Sequence, residues 1–248
     1  MSDNMEQVDL WRKAGNIFVF ATGRSISLMK RFTQKNLAYD YLITLNGGII
    51  SNAIDEILFE KVIPHAIALE IMSLIKLQGI RSYSISDGLI GYRKIALGDH
   101  SANQSTGFFR QIMLMLKFAS TFSKHNVSYH TALNRPIAQI TITTKTYEKA
   151  ANFAALINER FYGEVSAYVN GTSVDMSYYG LSKATGIDFI GKMLNIDDSD
   201  IYCMGDSYND LPMLEAYHGF TLPTAPDAVK EKAKDTFHTV GDAIKALL

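Results

Sequence analysis

The amino-acid sequence predicts an α/β fold in which a parallel-sheet core is interrupted by an inserted α+β unit. Two observations predict the core: short runs that are apolar throughout, each ending in a polar loop, and helical segments between successive runs. Continuous apolar runs are typical of strands covered on both faces, and a strand–helix–strand order favours parallel pairing. A third observation, alternating strand patterns within residues 62–172, predicts the insert and leaves 1–61 and 173–248 as the core.

The first core segment alternates helix and strand. A helix is predicted from about Asp3 to Ala14, followed by an apolar strand at 17–20 and a second helix from about Ser25 to Asn36. The next strand lies in the stretch YDYLITLNGG and ends at Asn46. The glycines after it permit a sharp turn.

The inserted unit begins with a helix at 64–77 and short strands in SYSISDGLIGYRKI. A Met-rich stretch, FFRQIMLMLKFASTF, follows, and its Met113 and Met115 are predicted to lie in a core or a domain interface. The alternating stretch IAQITITTK, a helix at 147–160 and a strand in EVSAYVNG complete the unit.

The second core segment returns to the α/β pattern. A helix is predicted at 183–194, a buried strand at 201–204 with Cys203 as a small core residue, and a helix near 228–234. Strands in HGFTL and TFHTV and a short last helix complete this segment.

Polar loops end three of the predicted core strands. These loops are Thr22-Gly23-Arg24, Asn46-Gly47-Gly48, and the turn from Gly205 through Asp210, while Lys183 begins the helix that precedes the third strand. Open α/β sheets bind ligands at the carboxyl ends of their strands. A hydroxyl and amides can hold phosphoryl oxygens, an ammonium can balance their charge, and paired carboxylates can hold Mg²⁺. The set therefore suits a phosphate ester.

Each of these residues, taken alone, also has an ordinary structural interpretation. Thr22 could cap a helix, Lys183 could be a solvated surface lysine, and the Asn209-Asp210 turn could cap the helix that begins at LPML. The order and spacing of the whole set favour the phosphate site.

Composition excludes several other classes of function. The net charge of −1 offers no electrostatic case for a nucleic-acid or membrane partner, and one cysteine excludes an internal disulfide framework. No apolar run approaches the roughly 20 residues of a membrane span, and the start MSDNMEQVD does not look like a signal peptide. The six histidines show no zinc-ligand spacing. A cytoplasmic protein is predicted, with its oligomeric state left open.

Five stretches together resemble the haloacid dehalogenase (HAD) superfamily, in particular its Cof-type phosphatases with a large α+β cap. They are ATGR, TLNGG, GLSKATGI, GDSYNDLPML and APDAVKEKA, the last preceded by Thr224 where asparagine is common. The resemblance implies a Rossmann-like, HAD-like core at 1–61 and 173–248, and a cap at 62–172 that selects the leaving group. It also implies Mg²⁺ as cofactor and small phosphomonoesters such as sugar phosphates as substrates.

The resemblance assigns a role to each matching residue. Thr22, Lys183 and Asp210 correspond to the catalytic groups, and Asp206 and Asp210 to the metal site. The substrate-binding positions are Thr22, Gly23, Arg24, Asn46, Gly47, Lys183 and Asn209.

The family's nucleophile motif, Asp-x-Asp-Gly-Thr at the end of a first strand, does not occur in this sequence. In the family its first aspartate attacks phosphorus and its second acts as general acid and base. Asp198-Ser199-Asp200 is a poor substitute, because it precedes its predicted strand and so lies at the opposite edge of the sheet from the site.

Three hypotheses follow, in order of preference. In the first, the chain is a truncated or mis-started form of a phosphatase. In the second, it is a pseudoenzyme that binds phosphorylated metabolites without turning them over. In the third, it is a structural or interaction module. An Asp-x-Asp-Gly-Thr reading frame just upstream in the gene would favour the first hypothesis. Ligand-dependent thermal stabilisation without hydrolysis would favour the second, and the absence of both observations would favour the third.

The missing strand also bears on the sheet, since the resemblance places it between the strands at 17–20 and 201–204. An open gap there would leave buried backbone groups unpaired, at roughly 1–3 kcal/mol each. Direct pairing of the two strands is the favoured prediction. The alternatives are a segment of this or another chain in the gap, or a chain that is poorly stable alone.

Overall fold

The structure, a computed structural model, describes residues 2–33, 38–94 and 127–248. The chain divides into two compact units, Met1–Lys61 with Gly180–Leu248 and Val62–Tyr179. The predicted Met-rich helix, with Met113 and Met115, lies outside the described residues.

The described residues of the first segment of the first unit form two α-helices and four strands. In chain order these are α1 (Ser2–Lys13), β1 (Val19–Ala21), α2 (Ile26–Thr33), β2 (Tyr41–Thr44), β3 (Ile49–Asn52) and β4 (Ile57–Glu60). β1 and β2 pair in parallel, as their apolar runs predict, whereas β2, β3 and β4 form an antiparallel meander that the sequence pattern did not indicate. The four strands form one sheet in the order β1-β2-β3-β4.

The described part of the second unit contains a five-stranded antiparallel sheet whose apolar side chains pack against helices. Its described elements are α3 (His65–Leu77), β5 (Ser82–Ser86), β6 (Gly91–Lys94), α4 (Tyr129–Leu133), β7 (Gln139–Thr143), α5 (Tyr147–Arg160), β8 (Val165–Asn170) and β9 (Ser173–Tyr178). The apolar side chains of the sheet, such as Ile140 and Met176, pack with those of α3 and α5 in one core.

The boundary at the end of this unit differs from the one that the sequence pattern predicts. The strand β9 pairs with β7 on one side and β8 on the other, so the second unit continues to Tyr179 rather than ending at residue 172. The predicted boundary omits β9, which lies in the interior of the second unit's sheet. That this unit acts as a substrate-selecting cap stays a prediction.

The remaining elements return to the first unit. They are α6 (Lys183–Leu194), β10 (Tyr202–Met204), α7 (Leu211–Ala216), β11 (His218–Thr221), α8 (Asp227–Lys230), β12 (Asp235–Thr236) and α9 (Val240–Leu247). β10, β11 and β12 form a separate parallel sheet in that order.

Helix α6 connects the packing of the two sheets in the first unit. Its Ile187 belongs to the cluster around Ile43 of β2 and also to the cluster around Cys203 of β10. Cys203 is buried, as predicted, and burial together with the negative charge of Asp210 raises the pKa of its thiol to about 12. This thiol is therefore protonated at neutral pH.

The prediction that the two strands flanking the missing strand pair directly is wrong. β1 and β10 belong to different sheets, and no described strand joins them. The physical reason lies in α6, because its Gly186 approaches Ile43 of β2 while its Gly191 approaches Ile201 just before β10. One helix packed on both sheets holds them at fixed positions.

In the described part of the chain, no helix combines the length and apolar character that crossing a membrane requires.

Candidate functional site

The turn that follows β10 is organised around the carboxylate of Asp210. Its Oδ2 accepts the backbone N–H groups of Asp206 and Ser207, each at 3.0 Å. A Cβ at position 205 would lie 2.4 Å from Cγ of Asp210, so glycine is required there for the carboxylate to fold back under its own turn. The side chain of Asp206 is exposed and its Oδ1 accepts only a long hydrogen bond, 3.3 Å, from the Ser207 hydroxyl.

Lys183 completes the environment of Asp210. Its Nζ donates to Oδ1 of Asp210 at 2.5 Å, and the two side chains are only 10% and 3% exposed. The interpretation of Lys183 as a solvated surface lysine is therefore wrong. Ser182 fixes the start of the helix, since its side chain accepts from the Thr185 amide and the Thr185 hydroxyl accepts from the Ser182 amide.

The loop that follows β2 has an unusual backbone. Leu45 and Asn46 are both buried and both have positive φ, 52° and 53°. A single residue in this region is uncommon for a non-glycine, and consecutive examples cost free energy that the surrounding structure must offset. Gly47, with φ +97°, approaches α6 so closely that a Cβ would lie 2.3 Å from the carbonyl oxygen of Ser182.

The loop that follows β1 lies directly beside that backbone. The amide of Thr22 donates to the carbonyl of Ile43, and the amide of Asn46 donates to the carbonyl of Thr22 at 3.1 Å. The Thr22 hydroxyl accepts the N–H of Arg24 at 3.1 Å. It tightens its own turn rather than capping α2, which begins at Ile26.

These contacts bring most of the predicted site residues together. The side-chain oxygen of Asn46 accepts from Nδ2 of Asn209 at 3.1 Å, which joins the loops after β2 and β10. Gly23 lies against the same amide, because a Cβ there would be 3.1 Å from Oδ1 of Asn46. Arg24 is tied in through its backbone carbonyl, which accepts from Leu45, while its side chain is exposed.

The donor set fits a magnesium ion that shares its coordination with a ligand. Among the described residues, no group of three or more His, Cys, Asp and Glu could enclose a metal. Mg²⁺ in proteins, however, is commonly held by one or two carboxylates together with waters and substrate phosphates. The exposed carboxylate of Asp206 and the second lone pair of Oδ1 in Asp210 match that requirement, whereas Oδ2 of Asp210 is already occupied by two amides.

Two structurally important residues were not predicted from the sequence. Ser182 positions Lys183, and its pattern SKAT, with Thr three residues after Ser, is close to the signature of a capping box. Leu45 carries part of the strained loop, and no sequence signal marks a leucine for positive φ. Asp198, Ser199 and Asp200 form a short helical turn before β10, as the sequence order predicts, and are not part of the site.

Comparison with known proteins adds family information. A sequence model of haloacid dehalogenase-like hydrolases matches residues 2–243. The 5-amino-6-(5-phospho-D-ribitylamino)uracil phosphatase YbjI of Escherichia coli is 37% identical over 71 residues, which are 28% of this chain and 26% of that protein. The match thus spans about a quarter of the length of that curated relative.

Solved structures share the fold. A haloacid dehalogenase-like hydrolase from B. subtilis superposes with a TM-score of 0.82 at 20% identity, covering 99% of this chain and 93% of the other. BT1666 from Bacteroides thetaiotaomicron, among the phosphatases of the haloalkanoate (HAD) superfamily, superposes with a TM-score of 0.76 at 21% identity, covering 100% and 86%. These likenesses confirm the predicted α/β fold class.

Proposed function

The chain belongs to the haloacid dehalogenase-like hydrolase family, and we propose that its site binds small phosphomonoesters together with Mg²⁺ for hydrolysis of the phosphate. The observation that supports this most directly is the buried Lys183–Asp210 pair beside the exposed carboxylate of Asp206. Asp210 contacts both the Lys183 ammonium and the Asp206 amide, which supports a site that combines a cation with a metal-binding carboxylate, as a phosphate–metal pair requires.

Thr22 and Lys183 are proposed to hold the phosphoryl oxygens. The Thr22 hydroxyl already accepts the Arg24 amide, so its own proton is left to donate to a ligand. Lys183 has three N–H donors, and one of them is directed to Asp210. The other two can bond to phosphoryl oxygens, where the ammonium also balances their negative charge.

Asn46 and Asn209 are proposed to orient the substrate beside these groups. Oδ1 of Asn46 accepts from Asn209, which leaves the Asn46 amide nitrogen as a donor toward a ligand. The side chain of Asn46 is buried and its backbone has positive φ. The conformation of the loop therefore orients this side chain. Gly23 and Gly47 would keep the loop backbone close to the ligand, and Arg24 would add charge at its exposed edge.

Mg²⁺ would be held by Asp206, with Asp210 contributing its remaining Oδ1 lone pair. The bound ion would supply charge neutralisation at the phosphate. Asp210 has a second role, since its two amide contacts fix the turn and its contact with Lys183 sets the position of the ammonium. It is therefore proposed to position both the metal site and the lysine.

Attack on phosphorus needs a nucleophile that this set of residues does not include. In the aspartyl-phosphate route a carboxylate attacks and is later released by water. No Asp-x-Asp-Gly-Thr occurs in the 248 residues. We therefore expect the chain alone to bind phosphate and Mg²⁺ and to show no Mg²⁺-dependent hydrolysis of p-nitrophenyl phosphate above background.

Calorimetric titration of the purified chain tests this proposal. Millimolar Mg²⁺ and inorganic phosphate should each bind, and Asp206→Asn should weaken Mg²⁺ binding at least tenfold. Asp235→Asn, an exposed position on β12, is the matched control and should leave binding unchanged. Absence of binding for both ligands would contradict the proposal, and robust hydrolysis abolished by Asp206→Ala would show that another nucleophile is present.

The substrate class remains a small phosphorylated metabolite, such as a sugar phosphate. The curated relative from Escherichia coli is named for a phosphorylated ribitylamino compound, which is consistent with this class. A cytoplasmic location, and the lack of nucleic-acid and membrane partners, stay predictions from composition.

A further inference from the structure

Thr221, at the end of β11, is a buried polar residue outside the set proposed to bind phosphate and Mg²⁺. Its side chain is 0% exposed, and its hydroxyl donates to the carbonyl oxygen of Gly205 at 2.7 Å. A buried hydroxyl costs free energy unless it is hydrogen-bonded, and valine has the same β-branched shape without that requirement. Packing of the strand alone would therefore favour valine, and the hydroxyl is explained by the carbonyl that it contacts.

The peptide group between Gly205 and Asp206 is held at both of its polar atoms. The Gly205 carbonyl accepts from the Thr221 hydroxyl, and the Asp206 N–H donates to Oδ2 of Asp210 at 3.0 Å. A peptide group is planar, and the C=O and N–H of a trans peptide point in opposite directions. The two contacts therefore fix the rotation of this plane about the line that joins its two Cα atoms.

The glycine in this turn makes such a restraint important. Glycine has the widest choice of backbone angles, and a side chain cannot replace it here because a Cβ would lie 2.4 Å from Cγ of Asp210. The amide of Gly205 donates to the carbonyl of Phe220 at 3.1 Å, which extends the pairing of β10 and β11 by one residue. The angle that remains, ψ of Gly205, is set by the contacts of Thr221 and Asp210.

The direction of the Asp206 side chain depends on that peptide plane, because the plane sets φ of Asp206 and with it the direction of the Cα–Cβ bond. The side chain is exposed, and its Oδ1 accepts a hydrogen bond of 3.3 Å from the Ser207 hydroxyl. An exposed contact of this length restrains the carboxylate weakly. The backbone contacts on either side of the peptide are therefore the main restraint on where the carboxylate lies.

We propose that Thr221 is a positioning residue for metal binding, whose hydroxyl orients the Gly205–Asp206 peptide so that the carboxylate of Asp206 meets the geometry that Mg²⁺ requires. The inference rests on the proposed function, in which Asp206 binds the ion. Mg²⁺ requires near-octahedral geometry with oxygen ligands at about 2.0–2.1 Å, whereas Ca²⁺ accepts irregular geometry at about 2.3–2.6 Å. Loss of the hydroxyl should therefore weaken Mg²⁺ binding more than Ca²⁺ binding.

The test compares Thr221→Val, which removes the hydroxyl and keeps the shape, with Thr221→Ser, which keeps the hydroxyl. Thr221→Ala is a second variant without the hydroxyl, for use if the valine variant does not fold. Thr144→Val is the matched control, because Thr144 is also buried and its hydroxyl donates to the carbonyls of Thr146 and Thr172 in the second unit. The measurements are calorimetric titration with Mg²⁺ and with Ca²⁺, the melting temperature, and exchange of the Asp206 amide with water by NMR without metal.

In Thr221→Val the Kd for Mg²⁺ should rise about tenfold, as is typical when a group that orients a metal ligand is lost, and the Kd for Ca²⁺ by less than about threefold. The Asp206 amide should exchange about threefold faster, because its peptide is then held at one atom instead of two. Thr221→Ser should keep the wild-type affinity for both ions. Thr144→Val should lower the melting temperature and leave both Kd values and the exchange rate unchanged.

The outcomes separate this inference from the proposed function. An unchanged Kd for Mg²⁺ in folded Thr221→Val, or an equal loss of affinity for the two ions that serine does not restore, would overturn the inference. If the wild-type chain binds neither ion, the proposed function fails. Faster exchange of the Asp206 amide in the variant would then still support the restraint by Thr221, and unchanged exchange would overturn it.

Discussion

Replacing Lys183 by methionine removes the ammonium from beside Asp210 and keeps most of the apolar stem of the side chain. The perturbed pair is the most buried ion pair described in the structure, with side chains 10% and 3% exposed and Nζ 2.5 Å from Oδ1. The variant leaves the carboxylate of Asp210 buried without its cation. Its free energy of unfolding should therefore fall.

The size of the loss follows from what remains around the carboxylate. Removing one partner of a buried pair typically costs about 3–5 kcal/mol. Oδ2 of Asp210 keeps its two amide donors, so the loss should be at the lower end, about 3 kcal/mol. With a urea m-value of about 2 kcal/mol per molar, the denaturation midpoint would fall by about 1.5 M.

The single tryptophan provides a probe of the first unit. Trp11 lies in α1 and its Nε1 donates to the carbonyl of Ile17 at 3.0 Å. Its fluorescence during urea denaturation should follow the unfolding of the unit that holds the pair. Lys192→Met is the matched control, since Lys192 lies on the same helix in an exposed pair with Asp188 and its loss should change stability by less than about 0.5 kcal/mol.

The double variant Lys183→Met with Asp210→Asn separates a charge effect from a packing effect. If the cost comes from an uncompensated buried charge, removing both charges should recover about 1–2 kcal/mol relative to the sum of the single variants. A single-variant loss below about 1 kcal/mol, or strict additivity in the double variant, would refute the reasoning.

Three further predictions concern other sites. Gly47→Ala should lower stability by about 3 kcal/mol, because a Cβ would meet the Ser182 carbonyl, whereas Gly15→Ala, with similar φ and open space, should cost about 1 kcal/mol by urea denaturation. Burial raises the pKa of Asp175 because it disfavours the charged carboxylate. The stability that the protonated side chain contributes is therefore lost as pH rises above the unfolded-state pKa of about 3.9. Asp175→Asn should melt higher than wild type at pH 7 and equally near pH 3. Burial raises the pKa of Asp40, but the hydrogen bonds from Arg12 and the Phe18 amide lower it more, so the net shift is downward. Asp40→Asn should therefore melt at a lower temperature than wild type at pH 7. The difference in melting temperature should vanish as acid protonates the wild-type carboxyl.

Local patterns in the sequence were sufficient to predict the elements that carry the site. Helix α6 is predicted at 183–194, the bounds that the structure has, while the apolar run at 17–20 overlaps β1 and the run at 201–204 contains β10. Periodicity reports how each residue is covered within its own element, and this property is local. The polar loops after those runs are predictable for the same reason, since a buried parallel strand must end where polar residues begin.

Contacts between distant residues were decided by the tertiary structure alone. The sequence proposed Lys183 and Asp210 as members of one site, but their direct ion pair across 27 positions depends on how α6 enters beside the turn after β10. The hydrogen bond between Asn46 and Asn209 spans 163 positions, and the loop in which Leu45 and Asn46 have positive φ is tied by its amides to the carbonyls of Arg24 and Thr22.

The separation of β1 from β10 is a second feature that the tertiary structure, and not the local sequence, decided. Their apolar sequences require covered strands, and direct pairing is the favoured prediction because it needs no further segment of chain. The structure keeps them in two sheets, because the close packing of Gly186 on Ile43 and of Gly191 on Ile201 fixes each sheet against one helix. The sequence by itself determined which segments are strands and which residues end them. The packing of α6 decided which strands are neighbours, since pairing depends on the positions of other elements and not on the composition of the strand.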